Sequence, residues 1–327
     1  MQADFTLDFP QGKEVRILQV TDTQIIDSSQ CRYPTRLREE QKPVWAPENV
    51  EVRMGKYLRG AVEKTTPDYI VHTGDFSYGE FDDSGRMFDL HVQMMESFST
   101  PWSLAFGNHE RETKKGIEYL CDGLEKAKHY LFKAKNWVDG VPCEGQGNYS
   151  VLIRQGGKAS AVLYILDSGM GTEELPCGIH ATQRKWLKEQ AKNLQGIPAY
   201  AFFHIPTFAF TQELRKYGHV ENGFHPCEIP SNERGDFGYI GEWVADRLYI
   251  DWDGSLMQLL EEIGVRGVFV GHLHEHTCSL LHGKMRLTHG MKTGEYDSHH
   301  KDHLGGTLLR LSADGTGEVT VEHVFVK

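Results

Sequence analysis

The residues of this chain best suited to chemistry fall into five short groups: Asp22 with Gln24, Gly74-Asp75, Gly107-Asn108-His109-Glu110, His204, and Gly271-His272-Leu273-His274. Carboxylate, imidazole and amide oxygen together suit Mn, Fe or Zn, whereas an all-oxygen set would suit Mg or Ca. Phosphate chemistry at neutral pH needs an activated water and a means of neutralising phosphoryl charge, and two cations about 3.5 to 4 Å apart supply both. Such a pair demands a rich ligand set, and this order of residues provides one. A single Gly-Asp, or one His after an apolar run, is common in proteins without a metal. The whole ordered series is not.

Each group follows a short apolar run that reads as a buried strand: Glu14–Val20, Asp68–His72, Trp102–Phe106, Ala199–Phe203 and Val265–Val270. Helical spacing marks Asn49–Lys64, Gly85–Phe98, Gly116–Ala127 and Thr182–Leu194 between them. Strand and helix therefore alternate, which predicts a layered α/β sandwich with its ligands at the carboxyl ends of the strands. Tyr149–Arg154 and Ala161–Leu166 read as a strand pair across Gly156-Gly157, placed in the middle of the sandwich. Met285–Thr288, Thr307–Leu311 and Glu318–Val326 read as antiparallel strands closing a second sheet, so both sheets are expected to be mixed.

Asp22, Gly74-Asp75, Gly107-Asn108-His109-Glu110, His204 and Gly271-His272-Leu273-His274 stand in the order of the calcineurin-like metallophosphoesterase motifs: D-x-H, GD, GNH with an acidic residue, a lone His, and GHxH. The chain resembles that superfamily from about Gln19 to His274. The resemblance implies a four-layer sandwich of two mixed β-sheets flanked by helices. It also implies two divalent or mixed-valence transition-metal ions, and hydrolysis through a hydroxide bridging them. Asp22, Asp75 and His274 would bind one ion, and Asp75, Asn108, His204 and His272 the other. Asp75 would bridge the pair. His109 would face the leaving group as acid or hydrogen-bond donor, with Glu110 orienting it or lining the pocket. The glycine before each ligand would let the backbone turn tightly beside the metals.

Two positions depart from the pattern. Gln24 stands where the family usually has His. Its amide oxygen can coordinate, as in the manganese-dependent nucleotide-type pyrophosphatases, but as a weaker and harder donor than imidazole. Gly74-Asp75-Phe76-Ser77-Tyr78 matches the GDxxY signature of purple acid phosphatases, in which the tyrosine binds ferric iron, although Gln24 does not fit that group. GNYSVLIRQ, VLYILDSG, TQRKWL, AFFHIP and VRGVFVGHLHEH resemble the branch of plant-type low-mass purple acid phosphatases and a yeast cell-cycle phosphatase. That branch favours phosphomonoesters. A phosphodiesterase or nucleotide pyrophosphatase is the alternative, and a catalytically weak phosphate-binding protein a third reading.

The remaining sequence sets bounds. With 327 residues, 39% hydrophobic and 25% charged, the chain has material for a sizeable core, and a single domain over residues 1–327 is expected. A net charge of −11 and the lack of a basic block argue against nucleic-acid binding, so the expected partner is a small phosphorylated substrate; the oligomeric state is left open. The six cysteines are dispersed and read as buried thiols. No apolar run approaches a membrane span, and the N-terminus carries no signal pattern; the default location is cytoplasmic, or extracytoplasmic if a signal segment has been removed. Asp27–Pro47 and Thr207–Ile250 read as long loops, the second a possible cap insertion over residues 207–250. Asp297–His303, with His299, His300 and His303, is a His-rich stretch that suits either a polar surface loop or extra phosphate contacts.

Overall fold

The computed structural model describes residues 2–33, 35–169 and 177–327. In chain order its strands and helices are β1 (Phe5–Phe9), β2 (Val15–Val20), α1 (Pro47–Thr65), β3 (Tyr69–His72), α2 (Arg86–Ser97), β4 (Trp102–Leu104), α3 (Gly116–Glu125), β5 (Trp137–Val138), β6 (Val141–Pro142), β7 (Tyr149–Gln155), β8 (Lys158–Ile165), α4 (Ala181–Asn193), β9 (Ala199–Phe202), α5 (Phe208–Leu214), β10 (Cys227–Ile229), β11 (Phe237–Ile240), α6 (Ser255–Glu262), β12 (Val265–Val270), β13 (His276–His282), β14 (Met285–His289), β15 (Gly305–Leu311) and β16 (Val319–Phe325).

Nine strands form one sheet in the order β1-β7-β8-β9-β12-β14-β13-β11-β10, and five form a second in the order β16-β15-β2-β3-β4. Both are mixed. In the smaller sheet β2, β3 and β4 run parallel while β15 and β16 are antiparallel. In the larger one β8, β9, β12 and β14 run parallel, with antiparallel strands on either side.

The period-two pattern of the central strands explains the layering. Along β8, Ala161, Leu163 and Ile165 join the core shared with the smaller sheet. Val162, Tyr164 and, just beyond the strand, Leu166 join a second core with Trp186 of α4, Phe210 of α5 and Leu256 of α6. On β9 the same split sends Tyr200 and Phe202 inward and Ala199 and Ala201 outward. A strand buried on both faces reads as an unbroken apolar run, which is how these strands appear in the sequence. Met54 and Leu58 of α1, Met87 and Met95 of α2, and Leu120 and Leu124 of α3 pack on the smaller sheet's side. The result is helices, sheet, sheet, helices.

One expectation needs correction. The β7-β8 pair faces the core between the two sheets, as expected, and takes the second and third positions of the larger sheet beside β1, unassigned from sequence, which pairs in parallel with β7 at the edge. The turn at Gly156-Gly157 is as read, with both residues at positive φ (58° and 77°), as a two-residue hairpin requires. Met285–His289 lies in the larger sheet between β12 and β13, not in the second sheet with β15 and β16.

Within residues 207–250, α5 packs on the larger sheet and the β10-β11 hairpin extends that sheet through β13. No described helix is long and apolar enough to cross a membrane. Among the described cysteines, Cys121, Cys143 and Cys278 are buried, Cys31 and Cys227 are half-buried and Cys177 is exposed, all as free thiols.

Candidate metal centre

The carboxyl ends of β2, β3, β4, β9 and β12 converge, and the groups singled out in the sequence follow each of them. Backbone hydrogen bonds pin these turns together: Asp22 N to Gly74 O (3.0 Å), Gln24 N to Asp75 O (3.0 Å), and Gly271 N to His204 O (3.0 Å). Asp22, Gln24, Asp75 and His272 themselves hold positive φ, at 50°, 43°, 55° and 75°. Non-glycine residues seldom sit there, and such strain concentrates at functional sites. Gly107 and Gly271 are needed for close approach: a Cβ would come within 2.2 Å of Asp75 Oδ1 at Gly107, and within 2.0 Å of Thr21 Oγ1 at Gly271.

Two donor groups result, Asp22–Asp75–His274 and Asp75–His204–His272, each with its ligand atoms within 4.8 Å of one another. Asp75 belongs to both. Asn108 joins the second group, because His204 Nε2 lies 3.1 Å from Asn108 Oδ1 and 3.1 Å from Asp75 Oδ2. The Nδ1–H of His204 donates to the Thr73 carbonyl at 2.7 Å, which turns Nε2 inward.

The two carboxylates are shaped for cations. Oδ2 of Asp22 accepts from Thr21 Oγ1 (2.6 Å) and His272 N (3.1 Å), and Oδ1 of Asp75 accepts from His109 N (3.0 Å). The other oxygen of each, Asp22 Oδ1 and Asp75 Oδ2, is buried without a hydrogen bond and faces imidazoles. Buried carboxylate oxygens are rarely left so unless an ion is meant to meet them. Burial alone would raise Asp75, but the charges of His204, His109 and His272 hold it well below the usual range. Burial opposes a charge on His204, yet Asp75 and Asp22 raise it to about 10. Burial and repulsion from His204 hold His272 down at about 3. The residues fit a pair of transition-metal ions.

His109 projects beside this pair, its Nε2 3.9 Å from Asp75 Oδ2, and its Nδ1 lies 2.9 Å from Glu112 Oε1. Burial would lower this imidazole, but Asp75 and Glu112 raise it. Glu110 does not orient His109. Its oxygens accept from Phe76 N and Gly107 N, both at 2.8 Å, and clamp the Gly-Asp turn to the Gly-Asn-His turn.

The structure brings Asp22, Asp75, Asn108, His204, His272 and His274 together. Gln24 is present too, but its amide oxygen accepts from Lys292 Nζ and its Nε2 lies 2.9 Å from His274 Nε2. Tyr78 turns its hydroxyl to Asp297 Oδ2 (2.5 Å) and lays its ring against His109, with centroids 3.8 Å apart. Burial and the Asp297 carboxylate push that phenol far above its usual range. From the His-rich stretch it is Asp297 and Ser298 that reach the site, Ser298 Oγ lying 3.2 Å from His274 Nδ1. His300 and His303 turn instead against Tyr239. Sequence reasoning missed Glu112 and Lys292. Only Glu112 carried a signal, its spacing of three from His109.

Residues 15–276 match the family model described as calcineurin-like phosphoesterase. The chain belongs to the calcineurin-like phosphoesterases. It is therefore a hydrolase of phosphate esters. No curated protein sequence matches it. Among solved structures it is similar to a dimetal phosphatase from Danio rerio (13% identity, 96% of this chain and 99% of that chain, TM-score 0.49). A purple acid phosphatase from yellow lupin, Lupinus luteus, is also similar (12% identity, 95% of this chain and 54% of that chain, TM-score 0.43). So is an archaeal phosphodiesterase (11% identity, 95% and 100%, TM-score 0.31). These distant likenesses select no branch of the family.

Proposed function

We propose that this calcineurin-like phosphoesterase hydrolyses small phosphomonoesters at a two-cation centre. The observation that carries the reading is the sharing of Asp75 by two donor groups, with His109 held beside them. Asp22, Asp75 and His274 would hold one cation, and Asp75, Asn108, His204 and His272 the other. The imidazole-rich set suits Mn, Fe or Zn. When bound, such a pair neutralises phosphoryl charge and supplies an activated water.

The chain's own residues do the rest. Glu112 Oε1 sits 2.9 Å from Nδ1 of His109 and holds the ring by charge, which leaves Nε2 to face the reacting phosphate. Asp75 and Glu112 raise the affinity of His109 for a proton, which suits Nε2 to protonate the departing alcohol oxygen. Tyr78, tilted against the ring and anchored by Asp297, limits its rotation. The preference for monoesters rests on the segments that resemble the purple acid phosphatase-related branch. Gln24 supports the second reading, a phosphodiesterase or nucleotide pyrophosphatase.

The test is a panel of an aryl phosphate, a bis-aryl phosphate and nucleoside diphosphates, assayed with Mn²⁺, Zn²⁺ or iron. Turnover of the aryl phosphate well above the others is expected. Cleavage confined to the diester or the pyrophosphates would replace the monoester reading, and silence on all three would contradict hydrolysis at this site.

A further inference from the structure

Lys292 is buried to 1% exposure in the floor of the site, where residue 292 bridges to Thr21 beside β2. Its backbone is fixed on both sides: Thr293 N donates to Thr21 O (2.8 Å) and Gly305 N to Lys292 O (3.0 Å). The ammonium donates to the Asp22 carbonyl at 3.1 Å and to Gln24 Oε1. Gln24 is itself fully buried.

An ammonium has three donors and no acceptor, so the atom of Gln24 that faces it must be oxygen. Rotating the amide would set its NH₂ against the NH₃⁺, where neither group can accept from the other. The NH₂ therefore points into the site, toward His274 Nε2 at 2.9 Å. An amide nitrogen has no lone pair to give a cation. Once the His274 lone pair is given to a metal, the Gln24 N–H must find another acceptor, and a phosphoryl oxygen is one.

We propose that Lys292 locks Gln24 as a hydrogen-bond donor rather than a metal ligand, so that the cation beside Asp22 is held by three protein side chains and binds more weakly than its neighbour at His204. The Lys292 ammonium adds to the difference, because like charges a few ångströms apart repel even at the effective dielectric of a protein. Gln24 then belongs to substrate recognition, in the place where the family usually has a metal-binding His. This assignment rests on the two-cation reading above.

Mn²⁺ alone, titrated calorimetrically into chelator-stripped protein, tests it without recourse to activity. The wild type is expected to bind two Mn²⁺ in steps of unequal affinity. Gln24→Ala should leave both steps within about twofold, because no ligand is lost. Lys292→Met frees the amide to turn its oxygen inward and removes the repelling charge, and should tighten the weaker step about tenfold or more. Lys292→Met is compared only if its melting and circular dichroism match the wild type; Gln24→Ala decides the matter by itself. A tenfold weakening in Gln24→Ala would make Gln24 a ligand and overturn this assignment alone. One Mn²⁺ or none in the wild type would overturn the two-cation reading, and this assignment with it.

Discussion

Glu112 Oε1 lies 2.9 Å from Nδ1 of His109, so a carboxylate three residues along the chain sits against the imidazole beside Asp75 and strengthens its hold on a proton. Its consequences are measurable. His109→Ala should lower kcat by about 10²-fold to 10⁴-fold, the usual range for loss of a general acid, with bound metal unchanged. Near wild-type turnover would remove His109 from the reaction.

Glu112→Gln separates orientation from charge. The amide keeps the size and place of the carboxylate beside Nδ1, but the charge that helps to raise His109 is gone. Because His109 acts as an acid, activity falls as pH rises through its pKa. A lowered pKa should move that alkaline limb of the kcat profile to lower pH, with kcat down about tenfold. An unmoved alkaline limb would show that Glu112 does not tune this group.

Tyr78 is committed to Asp297 rather than to a metal. Iron-loaded, oxidised protein should therefore lack the visible band of a tyrosinate bound to ferric iron. Tyr78→Phe should keep the wild-type metal content, since only a hydrogen bond to Asp297 is lost. A purple protein whose colour disappears in Tyr78→Phe would place the phenol on the metal.

The buried histidines give a pH dependence of stability. His289 is fully buried, neither ring nitrogen has a hydrogen-bond partner, and burial together with repulsion from His219 and His272 holds it at about 3. The unfolded chain titrates this group near 6.5. A histidine lowered in the fold contributes stability that is complete above the unfolded pKa and is lost as pH falls through 6.5 toward 3. By pH 5 the loss amounts to about 2 kcal/mol for this residue. Urea midpoints compared at pH 7.5 and 5 should fall less in His289→Leu than in the wild type. An equal fall in both would mean that His289 is protonated in the fold.

How much of this could be read beforehand follows from the range of each interaction. The strands that end at ligands were legible because burial on both faces makes them unbroken apolar runs, and the ligands because each follows such a run within a few residues. Edge strand β1 was not, since FTLDF alternates weakly and is defined by its pairing with Val151–Gln155 far along the chain. Neither was Lys292: it meets Gln24 across 268 residues, and nothing local distinguishes it from a surface lysine. Glu110 and Glu112 were both visible near His109, but only the fold shows that Glu110 serves the backbone of Phe76 and Gly107 while Glu112 serves the imidazole.

The central claim, two cations sharing Asp75, is tested most directly by elemental analysis of wild type and Asp75→Asn after equilibration with Mn²⁺ or Zn²⁺ and removal of free metal. Two metal ions per chain in the wild type, with at least one lost in the variant, is the predicted result. An Asp75→Asn protein that folds and carries the same metal content as the wild type would contradict the shared carboxylate and the account built on it.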